Sequence, residues 1–229
     1  MDVSSPPFQT SGIESFFVNV LCVLLMYGSA YLANTGAMLF GKWIPDKTGM
    51  PVIIIDRGRN YSDGHRILGD GKSWNGLIGG GIFSGILFIL AHNIWKGNGT
   101  DAPFIDPLSY ADSSDWFWFF GGELSSSFAA FTMGFVLGFS CMIGDMCGSF
   151  VKRRRGLKRE GDESSEAPLL DTIPFAIAIF ATSFLLFEGQ IITHPNLVEE
   201  ILFLLLITPV IHRSFNILGY KFGLKEVPY

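Results

Sequence analysis

The sequence predicts an all-α integral membrane protein, a single membrane domain over residues 1–229 with about five transmembrane helices and cytoplasmic loops that form a polar site. Charged residues make up only 16% of the chain, whereas a soluble domain has about 25%. Hydrophobic residues account for 48%. Several apolar segments are also long enough to cross roughly 30 Å of hydrocarbon.

Five apolar segments are the predicted spans, and they cover residues 14–40, 75–95, 116–145, 172–190 and 198–218. The first has no basic residue ahead of it and is too long for a cleaved leader. We therefore expect it to remain in the protein as a transmembrane helix.

Glycine pairs at a spacing of four recur inside the spans, and such pairs let two helices approach closely. They are Gly76 with Gly80, Gly81 with Gly85, Gly134 with Gly138, and Gly144 with Gly148. Packing within a small bundle or in a homodimer explains the first three pairs. For the fourth pair, helix packing and a surface for an approaching nucleotide are equal alternatives.

Basic residues predict the orientation, because the cytoplasmic loops of membrane proteins are enriched in them. Fifteen of the sixteen Lys and Arg residues fall in loop 41–74, in loop 150–171 or at the C-terminal end, and Lys96 is the exception. Five spans satisfy this distribution if the N-terminus lies outside and the C-terminus inside. We therefore expect a multi-pass protein of the cell membrane whose polar site faces the cytoplasm.

The spacing of the cysteines and histidines bears on two common kinds of site. Cys22, Cys141 and Cys147 show no paired spacing, and the four histidines are scattered along the chain. The sequence therefore indicates neither a disulfide framework nor a zinc site. Nothing in the sequence suggests a nucleic-acid partner.

The stretch from Gly144 to Arg159 begins inside an apolar segment and ends in a dense cationic run. On a helix, Asp145, Ser149 and Lys152 share one face, because offsets of four and seven residues return to the same side. An ionisable group at the membrane edge is by default a functional-site hypothesis. A carboxylate, a hydroxyl and an ammonium group together suit a nucleoside triphosphate that arrives with magnesium. The ordinary alternative is a cationic anchor for lipid headgroups.

A second carboxylate, Asp171, lies just before the fourth span, so that Asp145 and Asp171 flank one cationic loop. Two carboxylates at helix ends can hold a divalent cation such as Mg²⁺ against phosphate groups. The cations between them can neutralise a leaving pyrophosphate. This arrangement favours a phosphate site over a simple anchor.

The other cytoplasmic loop contains Gly69-Asp70-Gly71-Lys72-Ser73, which looks like the end of a phosphate-binding P-loop. The first glycine of that motif is missing, because Arg66 stands in its place, and there is no strand–helix context for it. We therefore reject a P-loop. Either the segment is an ordinary polar turn, or it lines an anion pocket with Asp70 and Lys72.

These motifs together resemble a known enzyme group. The pattern Ser149-x-x-Lys152-Arg153-x-x-x-x-Lys158, preceded by Gly144-Asp145, resembles the signature of the phosphatidate cytidylyltransferases, although Arg159 stands where that signature has Asp. The archaeal CDP-archaeol synthases are similar over nearly the whole chain. The matching pieces are Asn34, Gly41-Lys42, Pro45-Asp46, Asp63-Gly-x-Arg66-Ile-Leu-Gly-Asp70-Gly-Lys72, Gly144-Asp145-x-x-Gly148-Ser149-x-x-Lys152-Arg153-Arg154-x-Gly156-Leu157, Pro168-x-Leu170-Asp171-x-x-Pro174-Phe175 and Lys225-x-Val227-Pro228.

The resemblance implies a CTP-dependent nucleotidyltransferase of archaeal phospholipid biosynthesis. Its substrates would be CTP and 2,3-bis-O-geranylgeranyl-glycerol 1-phosphate, an isoprenoid glycerol ether phosphate lipid, and its products CDP-archaeol and pyrophosphate. We expect Asp145 and Asp171 to bind Mg²⁺ and, with Lys152, to be the catalytic residues. Contacts to CTP are expected from Asp70, Lys72, Ser149, Lys152, Arg153 and Lys158.

Two other classes of protein remain as alternatives. A membrane transporter or binding protein for an anionic nucleotide or phospholipid would want basic residues along a transmembrane path, yet here they stop at one face. A non-catalytic, lipid-anchored scaffold would leave Asp145 and Asp171 without a role. A CDP-alcohol phosphotransferase is nearer in chemistry, but its Asp-Gly-x-x-Ala-Arg pattern is missing.

Overall fold

The structure is a computed structural model that describes residues 12–96, 103–106, 108, 126–157, 167, 169–186 and 197–223. Throughout these residues the chain is helical or forms loops, and its only extended pairing is two isolated antiparallel bridges. Four helical stretches in the described part are long and apolar enough to cross a membrane, and a fifth apolar helix is shorter. The predicted class, an all-α membrane protein, is confirmed.

The described helices follow the order of the predicted spans. They are α1 (Ile13–Tyr31), α2 (Ala33–Met38), a π-helical turn (Leu39–Trp43), α3 (Ile44–Thr48), α4 (Trp74–Trp95), α5 (Ser126–Arg154), α6 (Ile173–Leu186) and α7 (Val198–Lys221). Residues 116–125 of the predicted third span and 187–190 of the fourth lie outside the described residues.

The first predicted span is longer and less regular than expected. It continues past residue 40 as the π-helical turn and α3, and it ends where Gly49 adopts a left-handed φ of 71°, a common way to end a helix. Here the chain packs tightly on α4. The contact is so close that a methyl group on Gly36 would overlap Phe83, and one on Gly79 would overlap Phe40. The basic residues Lys42 and Lys47 therefore lie on helical segments.

All four predicted glycine pairs pack against other helices or segments of the same chain. Methyl groups on Gly134 and Gly138 of α5 would overlap Phe88 and Ser84 of α4. For the fourth pair, the Gly144–Gly148 face lies against the backbone of residues 170–175. This pair is therefore a packing surface. The predicted homodimer stays a prediction, and the glycine pairs no longer support it.

Helix α5 continues nine residues past the predicted end of the third span at residue 145. Hydropathy predicts only where the apolar segment ends, whereas the backbone hydrogen bonds of the helix continue through the polar residues that follow. Ser149, Lys152 and Arg153 therefore lie on a rigid helix rather than in a loop. This extension positions the candidate site.

Several polar side chains inside the bundle form hydrogen bonds, which offsets the cost of burying them where no water is available. Tyr27 of α1 contacts Ser183 of α6, and Ser140 of α5 donates to the Ala178 carbonyl at 2.8 Å. On the outer surface, large apolar side chains such as Leu206 are exposed. Such a surface suits contact with lipid tails.

Candidate active site

The C-terminal end of α5 contacts the segment that precedes α6 through an ion pair. The Lys152 ammonium donates to the Asp171 carboxylate, and only 9% and 5% of the two side chains are exposed. The contact is possible because Gly148, one turn earlier, lets the Leu170 carbonyl approach the helix closely. Two residues predicted to belong to one site therefore meet directly.

A second ion pair joins the loop between α3 and α4 to the same helix. The Lys72 ammonium donates to the Asp145 carboxylate, and about a fifth of each side chain is exposed. The backbone of Lys72 is fixed by the Ile55 amide, which donates to its carbonyl at 2.9 Å. Ser73 then caps α4 by accepting from the Gly76 amide at 3.1 Å, a standard N-cap.

Both aspartates predicted to bind a metal thus have a lysine partner from a different segment of the chain. Since Asp145 and Lys152 lie on one face of α5, the two ion pairs belong to one region at the end of that helix. Ser149, between them in sequence, is buried. Helical spacing predicted this common face, but not the pairing of each charge.

The remaining predicted site residues occupy different positions. The carboxylate of Asp70 is two-thirds exposed and accepts from Arg66 at 2.7 Å. Arg153 donates to the carbonyl oxygens of Leu68 and Leu157, at 3.4 and 3.2 Å. It therefore supports the loop beneath Asp70. Lys158 lies outside the described residues.

Asp56, which was not among the predicted site residues, organises the loop that contains Asp70 and Lys72. Its carboxylate accepts from the Arg66 guanidinium at 2.8 Å and from three backbone amides, those of Gly58, Leu68 and Gly69, at 2.9–3.1 Å. Burial raises the pKa of this carboxyl, but the Arg66 hydrogen bond and the amides outweigh burial and hold the pKa well below its usual range. In the sequence, Asp56-Arg57-Gly58 is a pattern typical of an Asx turn, and it could have indicated that Asp56 bonds to the backbone of this loop.

Arg154 was also missed, and it ties the same loop to α5. Its guanidinium lies 4.9 Å from the ring centre of Tyr61 and 4.7 Å from that of Phe150, in cation–π geometry. Its Nε is 2.9 Å from an Asp63 carboxylate oxygen. It also donates to the carbonyls of His65 and Arg66. The contacts of the Arg154 guanidinium are therefore with other groups of the protein, and they hold the loop against α5.

The carboxylates at the end of α5 are of the kind that bind a divalent metal ion together with phosphate groups. Among the described residues there is no group of three or more His, Cys, Asp or Glu side chains that could hold a metal. Mg²⁺ bound with phosphates needs only one or two carboxylates, because phosphate oxygens and water complete its shell. Asp145 and Asp171 supply carboxylate oxygens of the required kind.

Family comparisons identify this membrane protein as a nucleotidyltransferase. A model described as the cytidylyltransferase family matches residues 70–164, which include Lys72, Asp145 and Lys152. A model described as CDP-archaeol synthase matches residues 16–108 and 119–229.

Two curated relatives agree with these matches. A CDP-archaeol synthase of Picrophilus torridus is 35% identical over 93% of this chain and 100% of its own length. One of Methanospirillum hungatei JF-1 is 35% identical over 87% of this chain and 98% of its own. A solved structure described as an intramembrane enzyme for archaeal membrane lipids biosynthesis is 25% identical over 72% of this chain and 77% of that one, with a TM-score of 0.47.

The chain belongs to the CDP-archaeol synthase family. It is a multi-pass membrane enzyme that uses CTP as a nucleotidyl donor in lipid biosynthesis. Cytidylyltransferases generally use a divalent metal ion, in keeping with the carboxylates at the end of α5.

Proposed function

We propose that this protein transfers CMP from CTP to 2,3-bis-O-geranylgeranyl-glycerol 1-phosphate and releases pyrophosphate. The observation that carries the proposal is the pair of Lys–Asp contacts, Lys72 with Asp145 and Lys152 with Asp171, at one end of α5. They bring two carboxylates and two ammonium groups from three segments of the chain to the membrane edge. The names of the relatives supply the nucleotide and the lipid.

In the proposed reaction, an oxygen of the lipid phosphate attacks the α-phosphorus of CTP. A new P–O bond forms there, and the bond from the α-phosphorus to the oxygen that bridges to the β-phosphorus breaks. The electron pair leaves with pyrophosphate. The lipid phosphate is already an anionic nucleophile, so the protein contributes mainly orientation and neutralisation of charge.

Asp145 and Asp171 would hold Mg²⁺, which when bound neutralises phosphate charge. Lys72 and Lys152 place two further positive charges beside these carboxylates. As negative charge moves towards the leaving pyrophosphate, a fixed ammonium group stabilises it without further rearrangement. Ser149, Asp70, Arg153 and Lys158 complete the proposed nucleotide pocket.

The site lies on the cytoplasmic side in this proposal, with the N-terminus outside and the C-terminus inside. The support is the distribution of Lys and Arg, which are concentrated in loops 41–74 and 150–171. CTP is then available to the site from the cytoplasm. The lipid phosphate reaches it from the membrane, and the prenyl chains stay among apolar helix surfaces.

Incorporation of labelled CTP by purified protein tests the reaction. With the archaeal ether lipid phosphate as acceptor, we expect a lipid-soluble product that carries cytidine and phosphate, formed with one equivalent of pyrophosphate. Phosphatidic acid, the ester acceptor, measures how strictly the ether lipid is preferred. Absence of a labelled lipid with either acceptor, in protein that is folded and supplied with Mg²⁺, would contradict the proposal.

A further inference from the structure

One guanidinium group links the buried part of the cytoplasmic loop to its exposed part. Nη2 of Arg66 lies 2.8 Å from the Asp56 carboxylate and 2.7 Å from the Asp70 carboxylate. The exposed fraction rises along this series, from 1% for the Asp56 side chain to 30% for Arg66 and 67% for Asp70. An anchored carboxylate therefore orients an exposed one through a rigid, planar donor.

Asp56 also fixes the turn that presents Lys72. The Gly69 amide donates to Asp56 at 2.9 Å, and Gly69 has a φ of 99°, a conformation that favours glycine. The Lys72 amide closes the turn by donating to the Gly69 carbonyl at 3.2 Å. At the other end, the amide of Ile55, the neighbour of Asp56, donates to the Lys72 carbonyl at 2.9 Å. Both ends of the turn are therefore tied to the segment that contains Asp56.

Asp56 itself is unsuited to contact a substrate. Its two oxygens already accept five N–H groups, two of them from Arg66, and its side chain is almost fully buried. A carboxylate so completely bonded has no free lone pair for a metal or a proton. Its contribution to the reaction must act through Arg66 and through the backbone.

We propose that Asp56 is the positioning residue for the nucleotide half of the site. It acts through Arg66 on Asp70, and through the Gly69 amide on Lys72. The inference rests on the proposed function, since contact of Asp70 and Lys72 with CTP comes from there. It predicts that changes at Asp56 and Arg66 weaken the use of CTP and leave the use of the lipid phosphate unchanged.

The first test is Asp56→Asn, which keeps the size of the side chain but turns an N–H group towards backbone amides that need an acceptor. We expect kcat/KM for CTP to fall about 100-fold, the effect of a displacement near 1 Å, while KM for the lipid phosphate stays within about twofold of the wild-type value. Binding of CTP to the purified protein, measured at equilibrium without lipid, should weaken in parallel. Glu199→Gln, which removes an exposed carboxylate in the first turn of α7, is the control and should leave both constants unchanged.

Arg66→Lys keeps the test decisive if Asp56→Asn fails to fold. It retains the charge but loses the fork that reaches two carboxylates, so the same selective loss of CTP affinity is expected. The double variant Arg66→Lys/Asp70→Asn should lose no more kcat/KM for CTP than the more damaging single variant. The reason is that both changes break the same link, from Asp56 through Arg66 to Asp70. The positioning proposal would be wrong if the losses in kcat/KM for CTP multiplied fully in the double variant. It would also be wrong if the variants lost the use of CTP and of the lipid phosphate equally.

These outcomes are separate from failure of the proposed function. If the wild-type protein incorporates no CTP into lipid, the reaction itself is wrong, whatever the variants do. If the wild-type protein is active and Arg66→Lys leaves CTP affinity unchanged, the reaction stands and the positioning proposal is wrong.

Discussion

The ammonium group of Lys152 on α5 contacts the carboxylate of Asp171, nineteen residues later, with both side chains nearly buried. Removing one partner of such a pair leaves a buried charge without compensation, which costs about 3–5 kcal/mol. The pair therefore links the stability of the α5–α6 contact to the proposed chemistry. Variants at these positions need a folding measurement beside every activity measurement.

Asp145→Asn is expected to abolish turnover while the protein stays folded. The change removes a charged oxygen ligand for Mg²⁺, and its partner Lys72 is partly exposed, so that solvent can compensate the ammonium group. Initial rates with CTP across a magnesium titration measure the loss. EDTA should stop the wild-type enzyme and added Mg²⁺ should restore it. Full activity of Asp145→Asn in EDTA would rule out the metal assignment.

Asp171→Asn should also abolish turnover, but with a clear loss of thermal stability. The difference arises because its partner Lys152 is buried, whereas Lys72 is not. Thermal unfolding in detergent compares the two variants. Combining Asp171→Asn with Lys152→Met should recover stability and not activity, because no unpaired charge then remains. Recovery of activity in the double variant would show that neither charge is needed.

The charged residues at the end of α5 could be predicted from the sequence only in part. Spacing along one helix predicted that Asp145, Ser149 and Lys152 share a face, because that spacing is a local property of the chain. The partners of the two aspartates depend on which segments pack together. Lys72 reaches Asp145 from 73 residues away in sequence, and no local pattern contains that information.

Asp56 could not be predicted as a site residue for a similar physical reason. Its importance comes from five donors that converge on it from several positions in the loop, and four of those donors are ten or more residues away. In the sequence it stands directly after three isoleucines, so it resembled an ordinary turn residue at the end of an apolar run. The end of α5 was misplaced for another reason, since hydropathy marks the membrane edge rather than the helix end.

Membrane orientation can be tested with single cysteines introduced at Ser4 and at Glu226, one in each terminal segment outside the described residues. The exposed native thiol should first be removed as Cys147→Ala. In sealed cells, an impermeant maleimide should label Ser4→Cys and not Glu226→Cys, because the distribution of basic residues predicts that the C-terminus lies inside. The opposite labelling pattern would invert the topology, and labelling of both would require an even number of spans.

Gly148→Ala tests the close contact that brings Asp171 to α5. A methyl group there would overlap the Leu170 carbonyl oxygen, and forcing such a contact typically costs about 1–3 kcal/mol. We expect lower thermal stability and at least about a tenfold loss of turnover, since Asp171 directly follows Leu170. Gly28→Ala in α1, with open space around the glycine, is the control and should be neutral or slightly stabilising. Equal behaviour of the two variants would contradict the packing argument.

Lys152→Ala should reduce activity far more than Arg155→Ala, although each removes one positive charge from the same run. Lys152 is buried against Asp171, whereas Arg155 is exposed just beyond the end of α5. As an anchor at lipid headgroups, Arg155 contributes about 1 kcal/mol. A fixed cation that stabilises the leaving pyrophosphate is worth about 3 kcal/mol or more, a loss of at least 100-fold in kcat.

The two variants should therefore separate a catalytic cation from a topological one in a single kinetic comparison. Because Lys152→Ala also leaves the Asp171 carboxylate buried without its partner, its turnover is compared at a temperature where thermal unfolding shows both variants folded. A Lys152→Arg variant adds a second control, since it keeps the charge but changes the shape of the donor. If turnover with CTP falls equally in Lys152→Ala and Arg155→Ala, the run acts as a bulk electrostatic patch, and the assignment of Lys152 to the site is wrong.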